Sequence, residues 1–227
     1  MDHIREHRSI LAAGEKRLLI AIARQLPSWI NSDHLTFLAL TSMVAAGVAF
    51  AAIPSTPWSA VAFAAALGAN WFGDSLDGTV ARVRNQQRPR YGYYVDHVVD
   101  LAGTAALVGG MAASGLMSPA IAAAVIAAYF VVAAESFLAT HSLGIFRISF
   151  AGVGPTELRI LLAVGAFVVV FRPWVELAGV HVRLLDVSGV VATVGLTLAF
   201  VISAIRNGRA LYAAEPIPRR DDTDRAA

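Results

Sequence analysis

Long apolar runs, interrupted by short polar breaks, are the dominant pattern along this chain of 227 residues. A membrane-spanning helix needs about 20 mainly apolar residues, and most of the runs approach that length. Prolines and glycines stand in the breaks, where they favour turns over continued helix. We predict an all-α integral membrane protein with six transmembrane helices, at residues 34–53, 58–81, 93–114, 118–142, 157–172 and 184–205.

Both ends of the chain depart from this pattern. Before the first predicted span, Leu18, Ile22 and Leu26 recur at helical spacing among charged residues, which predicts an N-terminal interfacial amphipathic helix. A short soluble helix packed on the loops is the alternative. The last residues mix prolines with both charges, which predicts disorder. The predicted regions are a cytoplasmic and interfacial segment (1–33), a six-helix transmembrane domain (34–207) and a disordered cytoplasmic tail (208–227).

The composition agrees with a membrane protein. Hydrophobic residues make up 57% of the chain and charged residues 15%, with a mean hydropathy of +0.62. Soluble domains carry about 25% charged residues. The chain has no cysteine, which excludes disulfide bonds and thiolate metal sites.

The basic residues predict the orientation in the membrane. With six spans, 16 of the 18 lysines and arginines lie on the same side as both termini, and only Arg172 and Arg183 lie opposite. Basic residues favour the cytoplasmic side, so both termini are predicted to be cytoplasmic. Arginine greatly outnumbers lysine and the spans are rich in alanine, which suggests a GC-rich bacterial source. We therefore predict a protein of the bacterial cytoplasmic membrane.

Four aspartates lie in or beside the second and third predicted spans. Asp74 and Asp77 are three residues apart and Asp96 and Asp100 are four apart, so each pair lies on one helical face. The short basic loop between these helices predicts an antiparallel pair whose carboxylates face each other near the cytoplasmic boundary. One aspartate at the centre of a span costs about 2.5–3.5 kcal/mol, and four close carboxylates add mutual repulsion.

Protonation, salt bridges or bound cations would each relieve this repulsion. Two divalent cations would neutralise all four carboxylates, and oxygen ligands favour Mg²⁺, Mn²⁺ or Ca²⁺ over zinc. The structural alternative is a buried ion-pair network with Arg82 and Arg84.

Small and polar residues accompany the aspartates at helical spacing. Gly78 and Gly92 lie on the carboxylate faces, where a missing side chain would admit a nucleotide or phosphate. Close helix packing is the alternative, and for Gly103 and Gly110 it is the interpretation we prefer. Asn70 adds an uncharged polar group to the same stripe, one turn before the first aspartate.

The spacing of these residues resembles a known family pattern. Written out, it is Asp74-x2-Asp77-Gly78-x2-Ala81-Arg82-x9-Gly92-x3-Asp96-x3-Asp100. It resembles the pattern D-x2-D-G-x2-A-R-x8 or 9-G-x3-D-x3-D of the CDP-alcohol phosphotransferase family, also called CDP-alcohol phosphatidyltransferases, and all eight fixed positions match. One departure is Ser32-Asp33, where the family often has Pro-Asn.

The resemblance implies a membrane enzyme of phospholipid biosynthesis. A CDP-linked donor, either CDP-diacylglycerol or a CDP-aminoalcohol, would give its substituted phosphoryl group to an alcohol or lipid acceptor, and CMP would leave. The enzyme would work as a homodimer among membrane lipids, with its active site facing the cytoplasm and no nucleic-acid partner.

The resemblance also implies roles for individual residues. Asp74, Asp77 and Asp96 would hold two divalent cations, Mg²⁺ or Mn²⁺. Asp100 would be a further ligand and the general base. Gly78, Ala81 and Arg82 would line the cytidine diphosphate site, and Gly92 and Asn70, which share their helical faces with the aspartates, are further candidates for substrate binding.

Two further short stretches resemble the choline and ethanolamine phosphotransferase branch of the family. His97 follows the third aspartate, where it would assist deprotonation of the acceptor; an interfacial hydrogen-bonding histidine is the alternative. Thr156 and Glu157 belong to a Gly-Pro-x-Glu element that would shape the acceptor or metal site. Arg147 would bind a substrate phosphate or be a surface arginine. Glu135, inside a predicted span, is expected to bond to another helix.

The alternative function is an ion-coupled transporter or divalent-cation channel that uses the aspartates as its permeation site. The chain shows no paired broken helices or repeat halves of the kind found in transporters. Transport also gives no reason for Gly78 and Arg82 at their positions. Release of CMP from a CDP-linked donor would distinguish the two functions.

Overall fold

The structure is a computed structural model that describes residues 4–6, 12–147, 154–215 and 217, without the side chains of residues 4–6, 12, 13 and 145–147. The described residues form mainly helices. In chain order these are α1 (Ala12–Gln25), α2 (Ser32–Ala51), α3 (Ser59–Val83), α4 (Pro89–Ala113), α5 (Pro119–Leu143), α6 (Pro155–Phe171) and α7 (Leu184–Ala214).

Each of the six predicted spans overlaps one of the helices α2 to α7. By length and apolar composition, three of these helices are able to cross a membrane, namely α2, α5 and α7. Helices α3 and α4 carry the aspartates, and α6 has only 17 residues. The helical character is therefore confirmed, whereas the number of six spans stays a prediction.

Two helices have an end that differs from the prediction by about four residues or more, namely α4 and α7. Helix α4 begins at Pro89 because proline fits the first helical position, where its missing N–H needs no partner. Helix α7 continues to Ala214, so residues 208–214 are helical and the disordered tail predicted for 208–227 starts too early. Five of these seven residues are alanine, leucine or arginine, which favour helix. Residue 216 and residues 218–227 lie outside the described part.

Short strands were missed by the all-α prediction. Strands β3 (Trp174–Leu177) and β4 (Val180–Arg183) form an antiparallel hairpin between α6 and α7. Its two-residue turn has positive φ at both Ala178 and Gly179, which matches the twist of paired strands. Strands β1 (Ile4–Glu6) and β2 (Ile145–Arg147) pair in parallel.

Helix α2 packs against both α3 and α4. At the α2–α4 crossing the two backbones almost touch, since a Cβ added to Gly110 would lie 2.1 Å from the carbonyl oxygen of Gly47. A Cβ on Gly73 of α3 would lie 2.5 Å from the carbonyl oxygen of Leu35. Small residues allow such close approach. Within the described residues, α3 and α4 make few direct contacts with each other, so α2 sets their separation.

Helix α1 lies against the end of α3 rather than on the loops. Leu19 and Ala23 of α1 are buried in a small apolar cluster with Leu76 and Val80 of α3. The guanidinium of Arg84 stabilises the segment between α1 and α2, because it donates hydrogen bonds to several backbone carbonyls there. These carbonyls belong to Leu26, Pro27, Ser28 and Ile30.

Candidate active site

Three of the four aspartates come together between α3 and α4. Carboxylate oxygens of Asp74, Asp96 and Asp100 all lie within 4.8 Å of one another. Asp74 and Asp96 are half-buried, whereas Asp100 is exposed. For these three residues, the structure therefore shows the predicted arrangement, in which carboxylates on two different helices face each other.

The side chain of Asp77 bonds to α2. Its Oδ2 accepts a hydrogen bond of 2.7 Å from Thr36 Oγ1, and its Oδ1 accepts one from the backbone N–H of Gly78. Asp77 therefore lies beside the three-carboxylate group and is tied to the helix that positions both halves of the site. Sequence reasoning gave Thr36 no such role, because spacing within one helix says nothing about partners on another.

Arg159, at the start of α6, joins the carboxylate group. Its Nη2 donates to Asp74 Oδ2 at 2.5 Å, and its Nε donates to Asn70 Oδ1 at 2.7 Å. Asn70 is 4% exposed and also donates to the carbonyl oxygen of Ala39 at 3.0 Å. Asn70 thus holds the guanidinium in place, and its contact with substrate stays a prediction.

Sequence reasoning counted Arg159 only as a cytoplasmic basic residue. An arginine at the beginning of a long apolar run was nevertheless a signal, because a charge near hydrocarbon needs a partner. The ion-pair alternative named Arg82 and Arg84. The arginine that pairs with Asp74 is Arg159, whereas Arg84 bonds to backbone carbonyls and Arg82 Nη2 donates to Thr79 Oγ1.

The glycines divide as expected. A Cβ on Gly103 would lie 3.0 Å from Met43 Cβ, and Gly110 meets the backbone of α2, so both serve helix packing. A Cβ on Gly78 would lie 3.2 Å from the Arg82 guanidinium, and one on Gly92 would meet no described atom within 4 Å. Space therefore remains beside Gly92, whereas the guanidinium of Arg82 lies directly beside Gly78.

A cavity of about 250 Å³ lies at the ends of α2 and α3. It includes Ala81 of the motif, and the Arg88–Asp33 ion pair lies in its wall. Arg88 also stacks over the ring of Tyr91, 4.2 Å from its centroid. The lining residues are Asn31, Ser32, Asp33, Ala81, Gln86 and Arg88. The Ser32-Asp33 departure from the family pattern is therefore part of this wall.

His97 lies between aromatic rings. Its Nδ1 is 2.6 Å from the carbonyl oxygen of Tyr93, so Nδ1 carries the proton that this bond needs. The ring centroid is 4.2 Å from that of Tyr93 and 4.8 Å from that of Phe137. The distance from Nδ1 to Asp96 Oδ2 is 4.0 Å. The imidazole is thus oriented beside one of the clustered carboxylates.

The first turn of α6 is held from two sides. Glu157 Oε2 accepts from the backbone N–H of Gly154 at 3.0 Å and so caps the helix. Thr156 Oγ1 donates at 2.9 Å to Glu15 of α1, and the same Glu15 oxygen accepts from Trp71 Nε1 at 2.7 Å. Glu15, which sequence reasoning did not single out, therefore joins α1, α3 and α6.

Two other predicted residues have simpler outcomes. Glu135 Oε1 accepts a 2.7 Å hydrogen bond from Asn207 Nδ2, which confirms the expected bond between helices, here α5 and α7. The side chain of Arg147 lies outside the described part of the chain, so its two interpretations both stay open.

The fold and the site together define a helical membrane protein that gathers carboxylates and an arginine between its helices, an arrangement suited to ions and phosphates. Comparison with known proteins narrows this class. The CDP-alcohol phosphatidyltransferase family matches residues 29–209, and the chain belongs to that family. The motif resemblance is thereby confirmed, and the chain is a membrane transferase of phospholipid synthesis rather than a transporter. Among curated proteins, none matches the chain.

Proposed function

We propose that this protein transfers a substituted phosphoryl group from a CDP-linked donor to an alcohol, with release of CMP. The observation that carries the proposal is the meeting of Asp74, Asp96 and Asp100 within 4.8 Å, beside the guanidinium of Arg159. This arrangement places negative and positive groups side by side, as a phosphoryl-transfer site requires. The proposed location is the cytoplasmic boundary of a bacterial membrane, with both termini cytoplasmic and six spans.

The donor set fits divalent cations. Only carboxylate oxygens converge, which suits Mg²⁺ or Mn²⁺, and the repulsion among them needs compensation. Asp74, Asp96 and Asp100 would hold the ions, two in number by the family resemblance, and Asp77 would contribute from the next turn of α3. A bound divalent cation supplies charge stabilisation at a diphosphate.

The remaining chemistry belongs to the chain's own side chains. Asp100, the exposed member of the group, would take the proton from the attacking hydroxyl. His97, held by Tyr93, would assist that proton transfer. Arg159 would bind a phosphoryl oxygen, and Asn70 would position Arg159.

The CDP portion of the donor would occupy the open faces and the adjoining cavity. Gly92 leaves room on the carboxylate face, Gly78 adjoins the Arg82 guanidinium, and Ala81 lines the cavity. Arg82, next to Gly78, would bind the diphosphate. Arg147 would bind a phosphate of the donor or the acceptor.

We propose two alternatives for the donor and its acceptor. His97 and the Thr156-Glu157 element favour a CDP-aminoalcohol donor with a lipid acceptor. The arginine-rich bacterial composition favours CDP-diacylglycerol with a small alcohol. A homodimer packed through the small residues of α4 and α5 is compatible with either.

The test is a donor and acceptor screen on purified protein in lipid nanodiscs, with CMP release as the measurement. We expect release from one donor class only, dependent on Mg²⁺ or Mn²⁺ and abolished by a chelator. Asp100→Asn should reduce turnover at least about 100-fold, while its thermal unfolding temperature shows that it is folded. Near-normal turnover of Asp100→Asn would remove the base role. Cation flux into vesicles without any nucleotide, together with no CMP release, would contradict the transferase.

A further inference from the structure

The β3–β4 hairpin has two chemically different faces. Residues paired across an antiparallel ladder share a face, and alternate residues along a strand do too. The pairs Val175–Val182 and Leu177–Val180 therefore form one face, which is entirely aliphatic. The pairs Trp174–Arg183 and Glu176–His181 form the other face, which is polar and aromatic.

The geometry of the polar face supports this division. The Arg183 guanidinium lies 5.4 Å from the centroid of the Trp174 ring, as expected for cross-strand neighbours on one face. Arg183 also pairs with Asp186 at 3.5 Å, at the beginning of α7. These contacts fix which face of the hairpin carries the charges.

The aliphatic face is uncovered at its tip. Leu177 and Val180 are each 60% exposed. Within the described residues, the hairpin packs mainly against the start of α7 rather than across the other helices. Four aliphatic side chains on one side of a ten-residue hairpin form an apolar patch, and exposure of such a patch to water is unfavourable.

The connections of the hairpin place it at a membrane boundary. Arg183 is followed directly by α7, which is apolar enough to span a membrane. In the most apolar 18-residue stretch of α7, only 11% of the residues are buried within the described structure. At the other strand, Phe171 ends α6 with an 81% exposed side chain, and the Leu184 N–H bonds to the Pro173 carbonyl at 2.9 Å to close the base. The hairpin therefore joins the ends of two helices that both expose apolar side chains, Phe171 on α6 and Val190 on α7 among them.

The same connections separate the hairpin from the site. Arg159 lies near the beginning of α6, and about 18 Å of helix separate it from Phe171. The hairpin thus lies at the end of the membrane domain that is distant from the aspartates. Catalysis does not account for its pattern.

We infer that the hairpin lies on the surface of the bilayer opposite the aspartates, with Val175, Leu177, Val180 and Val182 against the lipid. Trp174 and Arg183 face the headgroups and water, where tryptophan and arginine are favoured. The occupant of the aliphatic face is lipid, and no second protein chain is needed to cover it.

The chain has no cysteine, so single-cysteine labelling tests this placement. Leu177→Cys and Val180→Cys report on the aliphatic face, and Glu176→Cys and His181→Cys are matched controls on the other face of the same strands. Each full-length variant carries an environment-sensitive fluorophore in lipid nanodiscs, where aqueous iodide reaches both membrane surfaces. Circular dichroism and gel filtration confirm that each variant is folded.

We expect labels at positions 177 and 180 to emit at shorter wavelength and to be quenched by nitroxide lipids. Labels at 176 and 181 should emit at longer wavelength and be quenched by iodide. Equal iodide quenching on both faces would overturn the proposal, because the hairpin would then stand in water. Protection of 177 and 180 from both quenchers would also overturn it, in favour of a contact with a second chain.

Discussion

Arg159 brings a positive charge into direct contact with the carboxylates of the site. Its bonds to Asp74 and Asn70 bring a fixed positive charge to carboxylates that repel one another. A planar guanidinium that makes two hydrogen bonds keeps a fixed orientation, which an ammonium group would not. In the proposed enzyme the same guanidinium would compete with a divalent cation for Asp74, so this residue would couple substrate binding to cation binding.

Substitution of Arg159 tests that coupling. Arg159→Gln should lower kcat/KM about 10- to 100-fold, as expected for the loss of a charge-assisted hydrogen bond. Because a competing positive charge is removed, the half-saturating Mg²⁺ concentration should fall at the same time. Steady-state CMP release across a Mg²⁺ titration measures both. Arg172→Gln, at the other end of α6, is the control; equal behaviour of the two variants would contradict the role.

The residues of the site were predicted unevenly, and the reason is physical. Spacing of three and four along a helix fixed the shared faces of the aspartates, because those faces follow from helical geometry alone. The Thr36–Asp77 and Glu15–Trp71 bonds join residues far apart in the chain, and no local pattern encodes them. Such bonds depend on how helices cross, which is a property of the packed molecule.

At the scale of elements, apolar run length predicted α2 to α7 well because a buried or lipid-facing helix must be apolar over its whole length. The hairpin was missed because its strands have only four residues each and lie between the fifth and sixth predicted spans, where a loop is expected. Its alternation of apolar and polar residues around Ala178-Gly179 was the available signal. Helix α1 was predicted to lie along the membrane surface, and the structure adds that Glu15 fixes it to α3 and α6.

Helix α1 therefore influences the site through the carboxylate of Glu15, and substitution of Glu15 tests this effect. Glu15→Ala removes the acceptor for both Trp71 and Thr156, and each partly buried donor left without a partner costs about 1–3 kcal/mol. Because Thr156 lies one turn before Arg159, turnover should fall along with the unfolding temperature. Thermal unfolding and CMP release measure the two effects.

The matched variant is Glu15→Gln, which keeps an acceptor oxygen and should retain most of both properties. Lys16→Ala, on an exposed neighbour, should change neither. If Glu15→Gln proved as damaging as Glu15→Ala, the carboxylate charge rather than the two hydrogen bonds would be responsible, and this explanation would be wrong.

At the scale of the whole molecule, the number of spans decides where the ends lie. Six spans put both termini on the side of the aspartates and the hairpin on the other side. If only α2, α5 and α7 crossed the membrane, an odd number of spans would put the termini on opposite sides.

Impermeant maleimide labelling of intact cells distinguishes these arrangements. We expect a cysteine at His181 to react from outside, and cysteines added before Met1 and after Ala227 to react only after lysis. The unsubstituted chain, which has no cysteine, provides the blank. Labelling of one terminus in intact cells would contradict six spans.

The near contact of Gly47 and Gly110 has a consequence for how this protein can change over time. A larger side chain at either glycine would push α4 away from α2, and Asp100 lies on that same helix about 15 Å from the crossing. The carboxylates would then drift apart although no atom near them had been replaced. Substitution at these two positions between packed helices is thereby constrained by a site that neither residue touches.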